Sequence, residues 1–322
     1  MVRPGSSPEG QMRSMLPSLL RGRRFYCREW ALEKLQRCLE ARDANKGVEG
    51  SNRVSPGVLV TGGPGTGKTA LCTELVWPQS ETCKAAGLAS RCLAWHYCQR
   101  EDAGSVEVWR FVLALVEQLK ESPLLGPNYV KVISSASVAT VLEPLHCQRA
   151  PDETFKRAVL EPLLSLTPPA HSVFIVVDSV DSGCCGGNGV GEGSISGSAG
   201  TPSSSIAELL LKHIQLFPPW ILLVCSARRQ NKAVCKMFSG FRKLCLDDLR
   251  KPATVRDVQQ YILRRLDQDG ALRRQLTPET AEMLNLLHIK SKPGRLGVQG
   301  GDGCLGNHRT GCEVSRVEEA GR

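Results

Sequence analysis

Gly62, Gly63, Pro64, Gly65, Thr66, Gly67, Lys68 and Thr69 fill every fixed position of the pattern G-x-x-x-x-G-K-[ST]. Residues of these types at this spacing bind phosphate. The glycines let backbone N–H groups close round the phosphates, the Lys68 ammonium can reach the β- and γ-phosphates, and the Thr69 hydroxyl can ligate magnesium. Hydrolysis needs a second acidic group to hold the metal. Asp178, at the end of the apolar run Val173-Phe174-Ile175-Val176-Val177, is the candidate for that role. Asp181, three residues on, is the candidate for polarising the attacking water. Arg228 follows another apolar run closely, where a guanidinium could meet a γ-phosphate; Arg229 is its rival.

The elements that must position these groups are legible around them. Gly57-Val58-Leu59-Val60-Thr61 reads as a buried strand and residues 69–76 as a helix, so the glycine loop falls at a strand-to-helix turn. Residues 92–98 predict a second strand, and Val106, Trp109, Leu113, Val116 and Leu119 predict a helix after it. Residues 172–178 predict a third strand and residues 220–226 a fourth. Strand alternating with helix implies a parallel sheet, giving an α/β P-loop NTPase fold in three layers. Upstream, residues 28–30 open a helix with Leu32, Leu35 and Leu39 on one stripe.

Downstream, Thr254 is expected to cap a helix carrying Val255, Val258, Ile262 and Leu266, with Asp257 at the capping-box position. Thr277-Pro278 is expected to start another, bearing Ala281, Leu284 and Leu287. The expected organisation is therefore a disordered segment 1–21, an NTPase domain 22–250, a partial helical lid 251–291 and a disordered tail 292–322. Within the domain, residues 182–205 are mostly Gly and Ser and predict a flexible insertion.

Composition narrows the function classes. At 41% hydrophobic and 23% charged, the 322-residue chain is that of a globular protein with room for a substantial core. The net charge of +9 is spread along the chain without an RNP-like or zinc-finger pattern, which argues against nucleic acid as the main partner. No apolar run approaches the roughly 18 residues of a membrane helix, and Met15-Leu16-Pro17-Ser18-Leu19-Leu20 is too short for a secretory core. The five arginines of residues 1–24 faintly suggest a mitochondrial presequence, but the prolines and glycines there oppose an amphipathic helix. A cytoplasmic chain is expected. Its fourteen cysteines are scattered with no C-x-x-C pair, so reduced thiols are expected and no metal besides magnesium.

With these residues on the page, the chain resembles a NACHT-type P-loop NTPase of the STAND class. The resemblance rests on Arg24-Phe25-Tyr26-Cys27-Arg28-Glu29, on Asp178-Ser179-Val180-Asp181, on Ser226-Ala227-Arg228, and on Leu246-Asp247-Asp248-Leu249 before Asp257-Val258-Gln259-Gln260-Tyr261-Ile262. More narrowly, it is similar to the NTPase region of large ankyrin-repeat scaffold proteins, the relatives of TANC and of ankyrin repeat domain-containing protein 50, over roughly residues 22–291. The resemblance implies a five-stranded core with the phosphate strand central, a nucleotide-dependent switch, protein partners bound by repeats, and a setting in endosomal recycling or synaptic scaffolding. It places Arg28 and Glu29 near the adenine. Many NACHT relatives carry Gly before that Arg-Glu and an acidic residue after the second Asp, where this chain has Cys27 and Ser182. The departures imply slow or absent hydrolysis; binding needs neither residue.

The resembled family would run on from Ser291 into a winged-helix region and the repeats, whereas this chain turns into Lys292-Pro293-Gly294-Arg295 and shows no repeat of about 33 residues. The expectation is a product truncated before the repeats, its protein partners engaged through regions missing here. Taken together, the residues predict a regulatory domain that binds ATP or ADP with magnesium. A non-hydrolysing, nucleotide-stabilised interaction module is the alternative. A small-molecule kinase is a weaker third reading, since no acceptor pocket or arginine-rich lid is evident.

Overall fold

The computed structural model describes residues 25–45, 55–183, 204–268, 270–274, 277–280 and 282–283. Five strands form one sheet: β1 Gly57–Gly62, β2 Cys92–Tyr97, β3 Val173–Asp178, β4 Ile221–Arg228 and β5 Arg242–Cys245. Their order is β2-β3-β4-β1-β5 and every pairing is parallel. Runs such as Val-Phe-Ile-Val-Val in β3 suit this place, because a parallel sheet is covered on both faces and selects apolar side chains at successive positions.

The helices used below are α1 Glu29–Ala44, α2 Lys68–Val76, α3 Val108–Glu121, α4 Ile206–Lys212 and α5 Pro252–Gln268. Alternation along the strands sorts the core into two layers. Val58, Val60, Val176 and Val224 share one cluster with Leu35 and Leu39 of α1 and Leu71 and Leu75 of α2. Leu59, Ile175, Val177 and Leu223 share the other with Phe111, Val112 and Val116 of α3, together with Tyr129 and Phe155. The three-layer α/β fold is thus as expected.

Several expectations are corrected. The middle strand is β4, not the phosphate strand; β1 lies one place in from the β5 edge. β5 escapes sequence reading because only Leu244 of its four residues is buried, too short a pattern to count as alternation. The helices between Gly126 and Ser165 were not legible either: Pro127, Pro144 and Pro151 sit at helix starts and divide the segment, while Pro162 falls inside the continuous helical stretch 151–165, whose middle, Phe155–Leu160, is π-helical. Thr254 does not cap α5. The helix begins at Pro252, which leaves Thr254 buried in its first turn and turns Asp257 inward rather than back to a cap. Ser205, expected in the flexible insertion, is the N-cap of α4 and accepts a hydrogen bond from the Glu208 N–H. Residues 184–203, 1–24 and the tail from 284 lie outside the described residues, as do Ala281, Leu284 and Leu287.

α1 packs on one face of the sheet and is tied at its C-terminal end. Arg42 donates to the Pro219 carbonyl at 2.7 Å and to that of Ser55, while Asp43 accepts from Arg91 at 2.8 Å and from the Ser172 N–H. These partners precede β4, β1, β2 and β3, so one helix end braces the N-terminal edge of four strands. The other end of α1 begins at the functional site. No described helix is long and apolar enough to cross a membrane.

Candidate nucleotide site

The glycine loop leaves the C-terminal end of β1 and enters α2. Gly65 and Gly67 have φ of 72° and 89°, the left-handed region that residues with a Cβ rarely adopt. Gly67 is the N-cap of α2 and supplies no side chain, so the first N–H groups of the helix have no side-chain cap and face the loop's hollow. Lys68 is buried and its ammonium donates to the carbonyls of Gly62 at 3.0 Å and Gly63 at 2.8 Å. Burial lowers the Lys68 pKa and Arg228 adds to that, against the opposing pull of Asp178, Asp181 and Asp247.

Asp178, at the end of β3, comes to the loop across the sheet. Its carboxylate accepts from the Thr69 hydroxyl at 2.8 Å and, in a short bond, from the Ser226 hydroxyl. Ser226 also accepts from the Ser179 N–H at 2.9 Å, which locks the turn after β3 with Ser179 at a φ of 56°. Ser226 therefore orients the acidic group, a role not assigned from sequence. The signal was a polar residue near the end of β4, the strand in register with β3. Among the described residues no three His, Cys, Asp or Glu side chains gather to hold a metal. The Thr69–Asp178 pair fits magnesium of the kind that takes most of its other ligands from phosphate and water.

Asp181 and Arg228 are brought together, but with each other. Buried Asp181 accepts from Arg228 Nε at 2.9 Å and from the Arg228 backbone N–H at 3.3 Å. Arg229 instead meets Asp247 at 3.3 Å. Asp247, unremarked in the sequence reading beyond its place in the resemblance, also accepts from the Gly63 N–H at 2.9 Å. Its burial would raise the pKa; the Gly63 N–H, the Cys245 thiol and Arg229 outweigh that and hold it below the ordinary carboxylate value.

A cavity of about 770 Å³ opens over the loop, a size suited to a small-molecule ligand. Gly65, Thr66, Gly67, Lys68 and Thr69 line one end. Gly62, Gly63 and Pro64 do not line it: Gly62 ends β1, the Gly63 amide is taken by Asp247, and Pro64 is exposed. Phe25, Tyr26, Cys27 and Arg28 line the opposite end with Leu246, Leu249, Val258 and Tyr261. Arg28 thus sits at the pocket, whereas Glu29 opens α1 and is not among the lining residues. Cys27 and Arg28 have φ of 63° and 73°. A glycine before the Arg-Glu pair would take this left-handed turn without strain; Cys27 accepts a cost of roughly 1 kcal/mol and buries its thiol.

The P-loop, the Thr69–Asp178 contact and Asp181 all fall within residues 24–224, which match the model of the AAA ATPase domain. Arg228, Asp247 and α5 lie beyond that match. Because it spans more than half of the 322 residues and contains the phosphate loop together with the acidic strand end that faces it, the chain belongs to the AAA ATPase domain family and carries that family's nucleotide-binding fold.

Proposed function

We propose that the chain binds ATP or ADP with magnesium and works as a regulatory switch domain of NACHT/STAND type with slow turnover. The observation that carries this reading is the 2.8 Å bond from the Thr69 hydroxyl to Asp178, which sets two oxygens suited to magnesium beside Lys68. Magnesium bound there would neutralise phosphate charge. Lys68 would exchange two loop carbonyls for phosphate oxygens, a charge-assisted gain. Arg228 gives Asp181 its Nε–H and its backbone N–H, so a γ-phosphate met by the Nη groups would share one guanidinium with a buried carboxylate. That sharing is the chemical basis for a switch: it would let Arg228 report the γ-phosphate to Asp181.

The same pairing favours a second reading, a non-hydrolysing module in which nucleotide braces the fold, because both Asp181 oxygens are already taken by Arg228 rather than turned to water. The scaffold role, the cytoplasmic or endosomal setting and the protein partners are supported by the residue resemblance to ankyrin-repeat scaffolds. Calorimetry and single-turnover hydrolysis on Asp178→Asn and Asp181→Asn test the assignment. The expected outcome is an Asp178→Asn loss of magnesium-dependent ATP affinity of about tenfold, roughly 1.4 kcal/mol. Asp181→Asn is expected to leave affinity within about threefold and to abolish the slow turnover. Negligible effects of both on binding and turnover remove the roles, and no hydrolysis by the unsubstituted chain selects the second reading.

A further inference from the structure

The base end of the cavity is built from two segments with no strand pairing between them, residues 25–28 and the face of α5 that bears Val258 and Tyr261. Apolar burial does little to hold α5 there, since only Thr254, Val255 and Asp257 are buried in its seventeen residues. Polar links replace it. Asp257 accepts from Trp30 Nε1 at 2.6 Å and from Arg28 Nη1 at 3.3 Å, across 229 positions of sequence. Arg28 carries the link onward, donating to the Leu246 carbonyl at 2.9 Å and to the Thr66 carbonyl of the phosphate loop at 3.0 Å. Around this cluster the Cys27 thiol meets Gln260 at 3.6 Å, Gln268 donates to the Tyr26 hydroxyl at 2.7 Å, and Arg264 lies 5.2 Å from the Tyr26 ring centre.

The geometry points to Asp257 as a positioning residue for the nucleoside half of the ligand: its pairing with Arg28 and Trp30 latches α5 against residues 25–28, setting affinity for base and ribose and leaving phosphate affinity to the loop. This rests on the nucleotide-site reading above. Asp257 touches only the base end, whereas Arg28 also holds Thr66, so Asp257 separates the two halves and Arg28 does not. Trp30 is at the start of α1, which stays fixed by its core face and by Arg42, so loss of the latch frees α5 rather than the sheet.

Equilibrium binding of ATP and of inorganic tripolyphosphate to the full chain, with Asp257→Asn and Asp257→Glu, tests the inference. Asp257→Asn is expected to weaken ATP about tenfold and tripolyphosphate less than twofold, and Asp257→Glu to recover most of the ATP affinity. Should Asp257→Asn not fold, Trp30→Phe removes one donor while keeping a ring, and is expected to weaken ATP about threefold with tripolyphosphate unchanged. Equal losses for both ligands, or none for either, overturn the latch while leaving the nucleotide site intact. An unsubstituted chain that binds neither ligand overturns the site reading, and the latch with it.

Discussion

At the scale of single residues, the site is governed by which carboxylate holds which cation. Asp178 takes neutral hydroxyls, Asp181 takes Arg228, and Asp247 takes Arg229 together with a backbone amide of the phosphate loop. Neighbouring Arg228 and Arg229 are thus divided between separate aspartates. The Asp247 contact has a pH signature. Its carboxyl is held below the ordinary 3.8 in the fold, so between that value and the lower folded one the unfolded chain binds more protons. Its contribution is complete above the ordinary value and fades as pH falls through the folded one. Asp247→Asn is accordingly expected to lower stability at neutral pH, with the gap to the unsubstituted chain narrowing below pH 3.8. Urea unfolding at several pH values checks this, and a gap that stays constant down to pH 3 would rule the contact out as a stabilising charge.

At the scale of elements, α1 is tied to the sheet at one end and to the cavity at the other. Arg28 precedes its first turn and Arg42 sits in its last, about four turns apart. Burial lowers the Arg42 pKa to about 10, so the side chain remains charged at neutral pH, and it donates to two carbonyls that precede strands. Arg42→Ala removes both donors from partly buried bonds made by a buried side chain and is expected to cost about 1 kcal/mol, moderated because desolvating the guanidinium was itself unfavourable. Chemical denaturation measures the loss. ATP affinity should change little, since the cavity lies at the opposite end of the helix; a large fall in affinity at unchanged stability would contradict that division. α5 is the reverse case, a helix with little buried surface whose place depends on the polar groups it meets.

At the scale of the molecule, the parallel sheet collects the ends of β1, β3 and β4 at one edge, where chain segments far apart in sequence meet one ligand volume. A ligand filling the cavity touches the phosphate loop, residues 25–28 and α5 together. Hydrogen exchange should therefore show magnesium-ATP slowing the amides of the phosphate loop, of residues 25–28 and of α5 in parallel, with α3 and the helical segment between Gly126 and Ser165 unchanged. Protection confined to the phosphate loop would mean that the base end does not take part in binding.

The phosphate loop and the acidic end of β3 are determined by sequence because each is local chemistry: a glycine spacing with one function, and a run of β-branched residues that ends in Asp178. The layered fold follows for the same reason, since unbroken apolar runs between helical stripes admit few arrangements. Pairings among charged residues carry no such local mark. Asp257 satisfied a capping pattern, yet the helix starts earlier and the carboxylate serves Arg28 and Trp30 from the far side of the cavity. Asp181 and Arg228 were each assigned a partner outside the protein, while tertiary structure pairs them with one another. β5, with one buried side chain in four residues, and the short helices between Gly126 and Arg149 acquire their form from contacts rather than from propensity, the helices being too short to be stable alone. What only the fold decided is the set of long-range polar contacts, because a hydrogen bond across 229 positions depends on where the sheet carries both ends of the chain.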